Sequence, residues 1–496
     1  MRSTLSSVII KTLEINQSKN IIGRKVNNKW IWDNKMQLLN SISYCEDYLK
    51  SEHICKGDRV AYKGGNSVEW LSWNIACNSL GGIWVPMYPD QSNSYCNYII
   101  DDCEPKVLIT DNSRGSLYNT RILDNKIESY KNPNSINPVY HDVSTLIYTS
   151  GTTGNPKGVM LSNENLLSNI YETRSRFSTM PETTSLNILP WAHVYSQTCE
   201  LYYNLLHGNK MALCTDRGSF LKELKEIQPD VLYLVPRILE LVKSKIDFLD
   251  TPFINYVIPY ILKKIFGKNL KTIFVGGAKL QTPTREFFKK YGITICEGYG
   301  CTELSPMVSV NHMDYPRDEE SVGKILDNVL VEIIDNEIQV SGPNVMKGYW
   351  NNDIATKKAL VERDNKIWYK TGDGGYVKDG FLYYTGRNNY NYKLSNGKFV
   401  NVEHVESIVK DHIKCNCVVF TKDNIHNELI ASREITEELL QIINKDLNKY
   451  LKIHKAYWLK ESDWEKYFTP KMSVKRKNLI QDFIDNKLDL FIIERF

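Results

Sequence analysis

The chain has 496 residues, 42% of them hydrophobic, and carries 62 basic against 58 acidic side chains. That is enough apolar material for a large core shared between two or more domains, and too even a charge balance for a nucleic-acid partner. Eleven cysteines between Cys45 and Cys417 point to reduced thiols in a cytoplasmic setting, and Cys415 and Cys417 lack the second pair that a zinc site needs.

The first twenty residues contain no continuous apolar stretch of roughly 7–15 residues, so no secretory leader is expected. The longest apolar stretch, residues 71–88, is interrupted by Asn and Ser and falls short of the roughly 20 residues of a membrane span. Membrane contact, if any, is then peripheral. From residue 106 onward short β-branched runs alternate with helical ones: KVLIT, VSTLIYTS, the helix SNENLLSNIYETRSRF capped by Ser162, then DVLYLVP, KTIFVGG and GITICEGYG. The pattern predicts an α/β fold with buried, mostly parallel strands. Near residue 320 hairpins replace crossovers, with VLVEIID and EIQVSG around an Asp-Asn turn and FLYYTG after Asp379-Gly380. The last 110 or so residues read as a small α+β domain: helix VEHVESIVKD, strands at NCVVF and NELIAS, helix TEELLQIINKDLNKYL and strand KAYWL. The polar segment GRNNYN suits a hinge, which puts the boundary between residues 1–385 and 386–496.

The strongest motif is Thr149-Ser150-Gly151-Thr152-Thr153-Gly154-Asn155-Pro156-Lys157-Gly158. It follows a strand and precedes a capped helix. Glycines let the backbone turn toward a ligand, hydroxyls donate hydrogen bonds, and Lys157 supplies a compact cation, the components of a phosphate cradle. Pro156 stands where the P-loop of kinases and GTPases has glycine before its lysine, which excludes that motif.

This string resembles the phosphate-loop signature of the adenylate-forming (AMP-binding) superfamily, which includes acyl-CoA synthetases, luciferases and peptide-synthetase adenylation domains. Further motifs fall in the family's order. Gly276-Gly277-Ala278 resembles the segment packed along adenine, and in Gly298-Tyr299-Gly300-Cys301-Thr302-Glu303 the resemblance implies Tyr299 stacked on adenine, Thr302 at the α-phosphate and Glu303, with Thr149, at magnesium. One well-placed carboxylate is enough, since magnesium takes few protein ligands and completes its shell with phosphate oxygens. Tyr369-Lys-Thr-Gly-Asp373 and Gly386-Arg387 resemble the ribose motifs. Segments 189–200, containing His193, and 229–240 are similar to those of long-chain fatty acid–CoA ligases, where the histidine lies by the acyl and thiol channels.

The resemblance runs from Gly57-Asp58-Arg59-Val60 to the C-terminal basic run. It implies a large N-terminal domain of α/β subdomains with a small β-barrel-like portion, and a mobile C-terminal lid. The implied reaction uses ATP, magnesium and coenzyme A: a fatty acid attacks the α-phosphorus, giving acyl-AMP and pyrophosphate, and a thiol then takes the acyl group. Two positions depart from the family. Asn389 replaces the usual charged hinge residue, and in Thr469-Pro470-Lys471-Met472-Ser473-Val474-Lys475 it is Ser473 that occupies the adenylating lysine's place, leaving Lys471 or Lys475 to substitute. Three functions are therefore carried forward: a long-chain fatty acid–CoA ligase, an acyl-AMP ligase with another acid or acceptor, and a weakened binder of ATP and fatty acid. Chain-length preference and oligomeric state are not legible.

Overall fold

The computed structural model describes the chain apart from residues 1–2, 17, 19, 111–120, 125–137, 150–155, 178–181, 253, 315, 389, 396–397, 469–473, 489 and 495–496. It is a mixed α/β protein with two compact units, the first comprising residues 1–236, 246–330 and 340–369, and the second residues 237–245, 331–339 and 370–496.

Two sheets organise the first unit. In one, strands run in the order Gly348–Tyr349, Lys157–Ser162, Val143–Thr149, Ile83–Met87, Arg59–Lys63, Val107–Thr110 and Arg121–Asp124, with parallel pairing through the centre. Ile83–Met87 and Val107–Thr110 are buried at every residue. That explains their unbroken apolar sequences, because a parallel strand is covered on both faces. The other sheet has the order Lys29–Asp33, Ile22–Val26, Lys210–Leu213, Thr184–Asn187, Val231–Leu234, Thr272–Val275, Thr294–Gly300, Met307–Val310 and Lys324–Ile325. Its first two strands form a hairpin outside the sequence prediction, turned by Asn27 and Asn28 at φ 49° and 60°. Asparagine tolerates this left-handed conformation, and two such residues make the turn whose twist suits a hairpin.

Helix Asn163–Arg176 begins where expected: Ser162 accepts from the Asn165 N–H, and the Asn165 side chain accepts from the Ser162 N–H. The same Asn165 amide donates to the carbonyls of Pro343 and Val345. One residue thus caps a helix and fixes the chain leading into strand Gly348–Tyr349.

In the second unit, Asp373–Lys378 and Phe381–Arg387 form a hairpin turned at Asp379-Gly380. A four-stranded sheet follows, in the order Cys417–Phe420, Asn427–Ala431, Ile453–Trp458, Phe491–Glu494. Successive residues alternate between its two faces. Cys417, Val419, Leu429 and Ala431 pack with helix Val402–Ile413, whereas Val418, Phe420 and Ile430 pack with Trp464, Leu479 and Phe483. The helix expected over TEELLQIINKDLNKYL ends early, at Asp446. Asn444 exchanges hydrogen bonds with the Ile453 backbone at 2.7 and 2.8 Å, which turns the chain back into the next strand.

Candidate active site

Thr149 and Lys157 face each other across the antiparallel pair that carries the phosphate motif. Ser150, Gly151, Thr152, Thr153 and Gly154 lie outside the described residues. Gly158 has no room for a side chain, since a Cβ would sit 2.9 Å from Leu146 Cδ1 and 3.2 Å from Trp350 Cβ. Beside this strand lies Tyr349, paired with Val159. The Lys157 ammonium sits 4.9 Å from the Tyr349 ring centroid, and the Tyr349 hydroxyl donates to Glu303 Oε1 at 2.9 Å. Glu303 belongs to the short turn Thr302–Leu304, held by a hydrogen bond from Met346 N–H to the Glu303 carbonyl. Thr302 is buried next to it. Lys157 and Glu303, separated by 146 residues (303 − 157), thus meet around one aromatic ring.

Gly277 (φ +83°) and Ala278 are exposed at the end of strand Thr272–Val275. Gly276 before them is pressed on the Tyr195 ring, with an added Cβ only 3.1 Å away. Tyr299, half-buried, stands opposite Ser309, and the pairing shifts between Tyr299 and Gly300. Behind them Glu297 accepts from the Leu280 N–H at 3.0 Å and pairs with Arg285 at 3.3 Å. Burial pushes the Glu297 carboxyl up, against the pull of Leu280 and Arg285. This buried pair ties the Gly276–Leu280 turn to the Gly298–Glu303 segment. The signal available in sequence was an acidic residue directly after the largely apolar residues 293–296, inside the strand Thr294–Gly300.

His193 lies in the turn before an eight-residue π-helix, Tyr195–Tyr202, buried throughout. Its Nδ1 accepts from the Tyr195 N–H at 3.1 Å, so the ring orients the start of that helix. The helix also carries Glu200, fully buried, which accepts from Asn187 Nδ2 at 2.6 Å and Ser196 Oγ at 2.9 Å. Asn187 and Leu189 in turn hold Asn66. Glu200 was not singled out in sequence, although a carboxylate amid apolar residues is the expected mark of such a hub. π-Turns recur at functional sites.

Burial pushes the Glu200 carboxyl up to about 8, with Asn187 and Ser196 opposing. Tyr195, Cys199 and Tyr233 lie within its field. The folded chain therefore holds this proton more tightly than the unfolded chain. Stability is expected to fall between about pH 5 and about pH 8, at up to about 1.4 kcal/mol per unit, and then to level. Glu200→Gln should remove that slope. Urea unfolding of both proteins across this range measures it, and parallel pH profiles would contradict it.

In the second unit Asp373 and Arg387 are cross-strand partners, with Arg387 Nε 2.8 Å from Asp373 Oδ1. Gly372 N–H donates to Glu337 and the Thr371 hydroxyl to the Ile338 carbonyl, which fixes the turn before Asp373. Of the C-terminal basic run, Arg476 turns inward: it pairs with Glu406 at 2.6 Å, donates to the Val419 carbonyl and covers the Tyr390 ring. Lys475 is exposed, its ammonium 3.5 Å from the Lys466 carbonyl. Lys471, Ser473 and Asn389 lie outside the described residues.

All eleven cysteines are reduced. Among the described residues no cluster of three His, Cys, Asp or Glu side chains forms a metal cage, and no helix is long and apolar enough to cross a membrane. Magnesium asks for less than a cage. Glu303 fits that role: Tyr349 occupies Oε1, and among the described residues no hydrogen bond reaches Oε2.

Known proteins share this plan. Long-chain-fatty-acid–CoA ligase FadD15 of Mycobacterium bovis is 25% identical over 79% of this chain and 75% of its own length. Long chain acyl-CoA synthetase 4 of Arabidopsis thaliana is 23% identical over 83% and 74%. The o-succinylbenzoate coenzyme A synthetase of Bacillus subtilis, solved with ATP and a magnesium ion, is 21% identical and superposes with a TM-score of 0.80 over 95% of this chain and 99% of that one. The family model described as AMP-binding enzyme matches residues 37–350, more than half the chain. The chain belongs to the AMP-binding enzyme family.

Proposed function

We propose that the protein is a long-chain fatty acid–CoA ligase, working through an acyl-AMP intermediate. The observation that carries this reading is the convergence of Lys157 and Glu303 on Tyr349, in a chain several of whose curated relatives are named for long-chain acids. The fatty-acid carboxylate attacks the α-phosphorus of ATP and pyrophosphate leaves. A thiolate of coenzyme A then attacks the acyl carbon and AMP leaves. Such phosphoryl transfer needs positioning and charge neutralisation more than a protein nucleophile. Lys157 neutralises the polyphosphate, while Thr149, Ser150, Gly151, Thr152, Thr153 and Gly154 cradle it. Thr302 faces the α-phosphate, Tyr299, Gly300, Gly277 and Ala278 hold adenine, and Asp373 and Arg387 hold ribose. Glu303, with Thr149, would hold magnesium, which when bound neutralises charge on the phosphates. Lys475 serves in place of the lysine absent at Ser473, and residues 386–496 act as the lid.

A second reading, another and more polar acid, is favoured by the π-helix. Tyr195 Oη, both amide atoms of Gln197, Thr198 Oγ1 and Glu200 Oε1 are buried without a hydrogen-bond partner among the described residues. Such groups ordinarily have a partner. Pyrophosphate release from ATP and magnesium, measured over alkanoic and hydroxylated acids with and without coenzyme A, separates the two. Release that needs a long alkyl chain and yields acyl-CoA supports the ligase. Preference for the polar acids supports the second reading, and ATP binding without release from any acid rejects both.

A further inference from the structure

Lys157 and Glu303 carry opposite charges and approach the same aromatic ring, yet among the described residues they form no ion pair. Tyr349 stands between them. Its ring lies beneath the lysine ammonium at 4.9 Å, and its hydroxyl donates to the carboxylate at 2.9 Å. The side chain is 6% exposed. Its backbone is held twice, through the ladder to Val159 and through Tyr349 N–H to Thr356 Oγ1 at 2.9 Å. A position pinned in this way cannot follow the motion of either partner.

We propose that Tyr349 is a positioning residue that keeps the phosphate-binding cation and the magnesium-binding carboxylate apart and aimed, so that neither neutralises the other before ATP arrives. This rests on the roles proposed above for Lys157 and Glu303. A lysine and a glutamate in direct contact would form a salt bridge that the nucleotide must first break. The ring replaces it with two weaker contacts: a cation–π interaction and a hydrogen bond to one carboxylate oxygen. With Oε1 engaged, Oε2 is the oxygen turned over to the metal. Tyr369, also buried, lies within hydrogen-bonding reach of the Tyr349 hydroxyl.

Two substitutions separate ring from hydroxyl. Tyr349→Phe keeps the spacer and loses the donor. The magnesium concentration that half-saturates ATP binding, followed by calorimetry on the full chain, is expected to rise about 10-fold, the usual consequence of losing a group that orients a metal ligand. ATP binding without magnesium should stay as in wild type. Tyr349→Leu also loses the spacer, so Lys157 and Glu303 pair, and ATP binding is expected to weaken several-fold even without magnesium. Melting temperatures close to wild type show that both variants are folded. Should leucine unfold the chain, Tyr349→Phe combined with Glu303→Gln decides: no loss beyond that of Glu303→Gln alone supports a hydroxyl acting through the carboxylate. An unchanged magnesium requirement in Tyr349→Phe, or additive losses in the double variant, overturns the proposal. Because these are binding readouts, they remain decisive even if no acid supports pyrophosphate release, the outcome that rejects the reaction itself.

Discussion

Gly300→Ala is expected to abolish cooperative folding of the first unit. A Cβ at this position would lie 1.7 Å from the Pro306 carbonyl oxygen, 2.8 Å from its carbon and 3.1 Å from Met307 Cα. All three are main-chain atoms of the neighbouring segment, so no side-chain rotation relieves the overlap. Strand Thr294–Gly300 would have to detach from Met307–Val310 at the shift after Tyr299. Ordinary overpacking costs about 1–3 kcal/mol through side-chain adjustment. Here separation of two backbones is needed, and about 4 kcal/mol or more is expected, much of the roughly 5–15 kcal/mol that holds a typical domain together. Gly65 provides the control, because a Cβ there meets nothing within 4 Å. Gly65→Ala should melt within about 0.5 kcal/mol of wild type. Equal melting of the two variants in calorimetry would show that the close crossing at Pro306 is not as described.

Glu303→Gln should leave folding intact and remove most of the chemistry. Glutamine keeps an oxygen to accept from Tyr349, so the network around the ring survives, but it presents no negative charge to a divalent cation. A metal's charge stabilisation is worth several kcal/mol, which converts to roughly 100- to 1,000-fold in rate. Acid-dependent pyrophosphate release is expected to fall by that factor at fixed magnesium, with the melting temperature unchanged. A loss below 10-fold would remove Glu303 from the metal role.

The fold was legible wherever burial dictates composition. Val107–Thr110 and Thr272–Val275 are covered on both faces and therefore read as nearly continuous apolar runs, and Ser162 announces its helix because a cap needs a side-chain acceptor at that point. The hairpin around Asn27-Asn28 was passed over because the chain is rich in asparagine, which hides the two residues whose left-handed φ makes the turn. The π-helix was equally hidden, since one extra residue per turn leaves no signature in so short a run. For the candidate site, local motifs showed which residues to consider but not what lies between them. Tyr349 sits 46 residues beyond Glu303 and 192 beyond Lys157 (349 − 303 and 349 − 157), and only the antiparallel ladder Lys157–Ser162 to Gly348–Tyr349 brings the three together. Arg285 and Glu297 escaped notice for the same reason. Arg285 is unremarkable in its own helix, and the pairing that gives Glu297 its place exists only once the sheet has formed.

The distribution of thiols gives the protein a built-in chemical handle. Burial pushes Cys77, Cys103, Cys199, Cys296 and Cys417 up, away from the reactive thiolate, whereas Cys301 is half-buried between Tyr299 and Glu303. A small alkylating reagent applied to the unaltered chain therefore samples the middle of the proposed nucleotide segment, with exposed Cys55 as an internal standard on the same molecule. Peptide mass mapping of the two labels, with and without ATP, turns occupancy of the site into a ratio that requires no mutation, no chosen acid and no turnover.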